Sequence, residues 1–81
     1  MDDTKEKDVK NYNRIKVVLA EQRRTNKWLA EQLGKDQATI SKWCTNSCQP
    51  SIEQLFKIAE VLNVDVKDLL WSTRLKLSAL V

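Results

Sequence analysis

From Asn11 to Trp71 the chain alternates short apolar stripes at helical spacing with brief polar breaks, and the stripes predict five helices. Tyr12, Ile15, Val18, Leu19 and Gln22 recur at three- and four-residue steps, one face of an amphipathic helix that starts at Asn11 and ends near Arg23 and Arg24. Thr25 is a good N-cap, since its hydroxyl can accept from an amide at a helix start. Behind it Leu29, Ala30 and Leu33 form a second stripe that stops at Gly34, the only glycine in the chain. Asp36 caps a third segment, Gln37 to Thr45, with Ile40, Trp43 and Cys44 on one side and Asn46, which tolerates left-handed backbone, at its end. Pro50 disfavours helix at Gln49, and Ser51 with Gln54 three residues on reads as a capping box for a fourth helix. The apolar face of that helix is Ile52, Leu55, Phe56, Ala59 and Leu62, and Asn63 can end it. Asp65 then caps a last short helix whose Val66, Leu69 and Leu70 close the core, with Asp68 at its positively charged start.

The two ends read differently. Residues 1–10 alternate acids and lysines around a single Val9, have nothing to bury, and are expected to form a flexible arm. Residues 73–81 (Thr-Arg-Leu-Lys-Leu-Ser-Ala-Leu-Val) alternate polar and apolar only briefly; a continued last helix, pairing with a second copy, or a frayed tail all fit. Residues 11–72 therefore make the one domain that 81 residues allow, with a small core. Apolar residues at 42% and charged residues at 31% give enough hydrophobic material to fold and enough charge to stay soluble. One glycine and one proline leave few turn formers for short strands, so the expected class is all-α. The polar N-terminus has no signal-peptide pattern and no apolar run approaches the ~20 residues a bilayer requires, so the expected setting is the cytoplasm, with no membrane partner.

Composition also removes chemistry. The absence of histidine excludes triads with an imidazole base and most zinc and iron sites. Cys44 and Cys48 lack further ligands for a four-coordinate metal, and Cys44 reads as a buried free thiol. With no phosphate-binding glycine loop either, neither an enzyme nor a cofactor is expected. The formal charge of +3 is unevenly spread. Residues 1–10 carry three lysines against four acids, whereas residues 11–50 carry seven basic side chains against Glu21, Glu31 and Asp36, a local net of +4. Residues 51–72 set Lys57 and Lys67 against Glu53, Glu60, Asp65 and Asp68, and the tail adds Arg74 and Lys76. A basic half beside an acidic half suits a domain with one face turned to a polyanion, although charged faces also serve solubility alone.

The informative segment is 26–45, two short helices joined by a tight glycine-containing turn. Ala30 falls where the helices come closest and a long side chain would part them; Gly34 allows the turn; Leu29, Leu33, Ile40 and Trp43 anchor the pair. The run Thr25-Asn-Lys-Trp-Leu-Ala-Glu-Gln-Leu-Gly-Lys-Asp-Gln-Ala-Thr-Ile-Ser-Lys-Trp resembles the Cro and lambda-repressor type of helix-turn-helix DNA-binding domain. The resemblance extends over about 11–72, through the Pro-Ser helix start, Leu-x-x-Ile-Ala and the Val-Asp-Val-Lys-Asp-Leu-Leu ending. It implies a compact five-helix, lambda-repressor-like fold. Three positions depart from the family's habit. Asn26 replaces a glutamine that holds a phosphate, Leu19 and Cys44 replace an Arg–Glu pair, and Lys35 replaces an apolar residue after the glycine.

The helical step turns Ile40, Trp43 and Cys44 inward, so Ala38, Ser41, Lys42 and Thr45 point outward, with Gln37 leading. The resemblance implies that this face enters the major groove: Gln37 toward adenine, Lys42 toward guanine, Ser41 toward either, Ala38 against a thymine methyl. Asn26, Lys27, Lys35, Thr39, Thr45 and Asn46 are the implied phosphate contacts, with Arg24 adding general attraction. For each lysine, plain solvation is the competing reading. Trp28, Trp43 and Trp71 read as packing residues rather than as a stacking platform for single strands. The expected function is that of a small transcriptional regulator, repressor or activator. It would bind a palindromic double-stranded operator as a homodimer through helices four and five (Leu69, Leu70, Trp71) or the tail, and would block or contact RNA polymerase. The alternative is a protein-interaction module of antitoxin or anti-repressor type on the same fold.

Overall fold

The computed structural model describes residues 11–72; the arm and the tail expected at 1–10 and 73–81 lie outside the described residues. Among the described residues four α-helices follow in order, α1 (Ile15–Glu21), α2 (Asn26–Leu33), α3 (Gln37–Cys44) and α4 (Ile52–Leu62), and a 3-10 turn (Val66–Leu69) takes the place of the expected fifth helix. Helices of seven to eleven residues are too short to persist alone in water, so their shared core holds them. Every element contributes: Ile15, Val18 and Leu19 from α1, Leu29 and Ala30 from α2, Ile40, Trp43 and Cys44 from α3, Leu55, Ile58, Ala59 and Leu62 from α4, and Leu69 from the turn. Each fully buried Leu or Ile stabilises the fold by about 1.5–3 kcal/mol. None of the described helices is long and apolar enough to cross a membrane.

Helix ends are set by side chains whose types were chosen for that purpose. Thr25 Oγ1 accepts from Trp28 N at 3.0 Å, Asp36 Oδ1 from Thr39 N at 3.1 Å, and Ser51 Oγ from Gln54 N at 3.1 Å. The reciprocal half of the expected Ser51–Gln54 capping box is not made: Gln54 Oε1 is buried without a hydrogen-bond partner. The chain leaves α2, α3 and α4 through left-handed residues, Gly34 at φ 67°, Asn46 at φ 62° and Asn63 at φ 58°. At Gly34 the turn is fastened by Lys35 N donating back to Ala30 O at 3.0 Å.

Four expectations are corrected. The first helix starts at Ile15, not Asn11, because Tyr12 and Asn13 are held extended beside Leu70. Trp71 N donates to Tyr12 O at 3.1 Å and Arg14 N to Leu69 O at 2.8 Å, and Asn13 Oδ1 accepts from Ile15 N at the helix start. Tyr12 is consequently exposed. The same helix stops at Glu21, since Arg23 turns left-handed (φ 59°) and Arg24 N closes onto Leu19 O at 2.8 Å. On α4, Ile52 and Phe56 are 68% and 58% exposed, and Ile58 is fully buried; Leu55, Ile58, Ala59 and Leu62 form the true stripe at i, i+3, i+4 and i+7. Leu70 is exposed as well, because the 3-10 turn has already ended and the chain is extended there.

Gly34 is the position where a side chain costs most for backbone reasons alone. A Cβ there would meet nothing within 4 Å, so the penalty of alanine is that of the left-handed conformation. Gly34→Ala is expected to lower the unfolding free energy by about 1–2 kcal/mol in urea denaturation with an unchanged m-value.

Candidate nucleic-acid interface

Helix α2 packs on α3 more extensively than any other two elements meet. Ala30 is buried at this approach and Leu29 and Ile40 are completely enclosed, while Trp43 and Cys44 bury the C-terminal part of α3. With that side of α3 fixed, the 100° helical step leaves Gln37, Ala38, Ser41, Lys42 and Thr45 on the surface, and all five are exposed. The side chains of Gln37, Ser41 and Lys42 make no hydrogen bond among the described residues, and the Lys42 charge acts on the nearby Asp36 carboxylate. They form a short polar face with an amide, a hydroxyl and an ammonium side by side and one small apolar side chain, Ala38, among them. Amides, hydroxyls and cations of this kind match the donors and acceptors on base-pair edges, and Ala38 is small enough to let a backbone approach.

The residues expected to hold phosphates divide into two groups. Lys27 and Lys35 are exposed. Asn26 is half-buried and its Oδ1 receives the Cys44 thiol at 3.4 Å. Thr39 donates its hydroxyl to Asp36 Oδ1 at 2.7 Å, and Thr45 shares its hydroxyl with Lys42 O at 3.3 Å and Ser47 Oγ at 2.8 Å. Asn46 is the most heavily engaged, its Oδ1 accepting from Tyr12 N, Asn13 N and Gln49 Nε2 and its Nδ2 donating to Asn13 O. Asn46, Thr39 and Thr45 thus each use a side-chain group inside the fold.

Two features of the interface were missed in the sequence. Arg24 lies with its guanidinium 4.2 Å from the centre of the Trp28 ring, which orders a cation at the start of α2 and gives half-buried Trp28 a second role beyond packing. Asn13, 2% exposed, and Gln49 join Asn46 in a network of amides behind α3. An asparagine two residues ahead of an apolar stripe is a capping signal, but nothing in periodicity links it to a residue more than thirty positions away.

Among the described residues two ionisable groups are shifted. The Asp36 carboxylate is held below its usual range by the Thr39 hydroxyl and then by the Thr39 amide. Burial pushes the Cys44 thiol up, so it stays protonated, as a donor to Asn26 must.

The family profile for helix-turn-helix domains matches residues 15–69, a span that includes all four α-helices and the 3-10 turn. The chain belongs to the helix-turn-helix family of Cro/C1 type. Membership in this family carries DNA binding with it. Among solved structures, this helix-turn-helix chain is similar to a presumed DNA-binding protein from Bacteroides fragilis, at 64% identity and a TM-score of 0.71, over 72% of this chain and 94% of that one. Among curated proteins nothing matches.

The Asp36 cap makes stability depend on pH in a defined direction. A carboxyl whose pKa is depressed by folding stabilises fully above its unfolded value, about 4, and this is lost as pH falls through the lower, folded value. The difference in urea midpoint between the wild type and Asp36→Ala is expected to be constant from pH 7 to about 5 and to narrow steadily below about 4.

Proposed function

We propose that the protein is a transcriptional regulator that recognises a specific double-stranded sequence by laying α3 in the major groove of a palindromic operator. The observation that carries this reading is the exposed polar face of α3, where Gln37, Ser41 and Lys42 make no side-chain hydrogen bond among the described residues, opposite a side that the core fixes rigidly. Gln37 reads adenine through its two-headed amide, Lys42 donates to guanine O6 and N7, Ser41 bonds either, and Ala38 meets a thymine methyl. Lys27, Lys35 and the Trp28-ordered Arg24 supply the phosphate attraction that sets register. The similar Bacteroides fragilis structure, presumed to bind DNA, supports the same reading for this chain.

Two copies act together, each on one half-site about one helical turn from the other. The exposed Ile52, Phe56, Leu70 and Trp71 support a self-association surface on the acidic half. Leu69, completely buried, takes no part in it, which narrows the surface expected from sequence. Regulation follows from occupancy of the operator, by exclusion of RNA polymerase or contact with it, and involves no reaction catalysed by the protein itself.

Selection from a random DNA pool is expected to return a symmetric site, bound with an affinity that falls steeply with added salt. In gel-shift titrations on that site, Gln37→Ala combined with Lys42→Ala is expected to reduce preference over random duplex by at least about thirtyfold, two base contacts' worth, while binding to random duplex changes little. A preserved preference in that variant would show that α3 does not read the bases.

A further inference from the structure

We propose that Asn13, Asn46 and Gln49 are positioning residues for DNA recognition: their side-chain amides, with the Asn13 main chain, close a ring of hydrogen bonds that fixes the tilt of α3 and so the aim of its base-reading face. The inference rests on the DNA-binding role of α3 proposed above.

Asn13 is the one polar side chain enclosed in the core of the described residues. Burying an amide costs about 1–3 kcal/mol unless each of its groups finds a partner. Here each does. Asn13 N donates to Asn46 Oδ1 at 3.0 Å and Asn13 O accepts from Asn46 Nδ2 at 3.1 Å; Asn13 Oδ1 accepts from Ile15 N at 3.0 Å. Its Nδ2 donates to Gln49 Oε1 at 2.7 Å and to Trp43 O at 3.0 Å, and Gln49 Nε2 returns to Asn46 Oδ1 at 3.0 Å, closing the ring. The anchor side of this ring is itself held on both flanks, by the backbone bonds from Trp71 N to Tyr12 O and from Arg14 N to Leu69 O.

The partners chosen explain what the ring does. Trp43 O, in the last turn of α3, accepts from Asn46 N at 3.1 Å as well as from Asn13 Nδ2, and Asn46 is the left-handed residue just beyond the helix. The ring therefore grips the C-terminal end of α3 by its backbone, one residue from Lys42. Apolar packing against Ile40 and Trp43 is non-directional and lets a helix slide or rock; hydrogen bonds fix distance and angle. Helix α3 spans about 12 Å, so 1 Å of play at its end tilts it by roughly 5° and moves Lys42 by most of that ångström, enough to lose a base contact. An apolar replacement of the whole ring could match its stability; what an amide ring adds is a unique geometry.

The test compares affinity for the selected operator with affinity for random duplex by fluorescence anisotropy, on variants shown by circular dichroism to be folded. Asn46→Gly keeps the left-handed backbone at no strain and opens the ring, removing every bond to the Asn46 side chain while leaving Asn13 Nδ2 on Trp43 O and Gln49 Oε1. It is expected to weaken operator binding by about tenfold, the value of one base contact, with random-duplex affinity and salt slope unchanged because the lysines are untouched. A loss of melting temperature alone, with the operator-to-random ratio of Asn46→Gly within about twofold of wild type, overturns the proposal and leaves a purely structural ring. Should Asn46→Gly fail to fold, Gln49→Ala at an exposed position carries the same test: a severalfold loss of ratio supports the proposal and an unchanged ratio overturns it. A wild-type protein with no sequence preference overturns the α3 reading and this inference together, whereas a discriminating wild type with equally discriminating variants overturns the positioning role alone.

Discussion

The close approach of α2 to α3 decides what this small molecule can present to a partner. Ala30 at the crossing and the left-handed backbone of Gly34 let the two helices meet with Leu29 and Ile40 completely enclosed. Once Ile40, Trp43 and Cys44 are committed to that contact and to the core, Gln37, Ala38, Ser41 and Lys42 have nowhere to go but outward. A larger side chain at Ala30 would separate the helices and rotate or lift α3, and every proposed base contact would move with it. The helix-turn-helix unit is in this sense one rigid object whose outer face is a by-product of its inner packing.

An eight-residue helix fixed only by apolar contact would still have freedom to rock. Both of its ends are tied down by directional bonds instead. At the start, Asp36 accepts from the amide and the hydroxyl of Thr39; at the end, Asn13 and Asn46 bind the last turn to the extended segment ahead of α1. Thr39 and Asn46 use side-chain groups for this bracing, whereas Lys27 and Lys35 are exposed and Arg24 lies on the Trp28 ring. Charge follows the same division of labour. The basic side chains concentrate in the half that contains α2 and α3, and the acidic ones in the half built from α4 and the 3-10 turn, where exposed Ile52 and Phe56 lie.

How much of this could be read in the sequence depended on whether the controlling interaction was local. The caps at Thr25, Asp36 and Ser51 and the left-handed exits at Gly34, Asn46 and Asn63 are set by residues within a few positions of each other, and each was legible. The outward face of α3 followed from helical periodicity alone. The start of α1 was not legible, because Tyr12 fits the helical stripe as well as it fits the extended pairing with residues near Leu70, and the choice is made by hydrogen bonds to a segment almost sixty residues away. Ile52 and Phe56 were misread inward because both satisfy a three-and-four spacing with Leu55 and Ala59; only the position of the rest of the core picks Ile58 instead. The role of Asn46 was half legible: its backbone was expected to turn left-handed, whereas its side-chain partners are brought together only by the tertiary fold.

The proposed contact between the outer face of α3 and base edges is open to direct observation. The most direct measurement is a titration of isotope-labelled protein with its selected duplex, followed by NMR at backbone amides and at the Gln37 side-chain amide. The largest perturbations are expected on Gln37, Ala38, Ser41 and Lys42, with the Gln37 side-chain protons protected from exchange in the complex and lesser shifts at Lys27 and Lys35. Perturbations centred on Ile52, Phe56 and the 3-10 turn, with α3 unchanged and the Gln37 amide still exchanging as in the free protein, would contradict it.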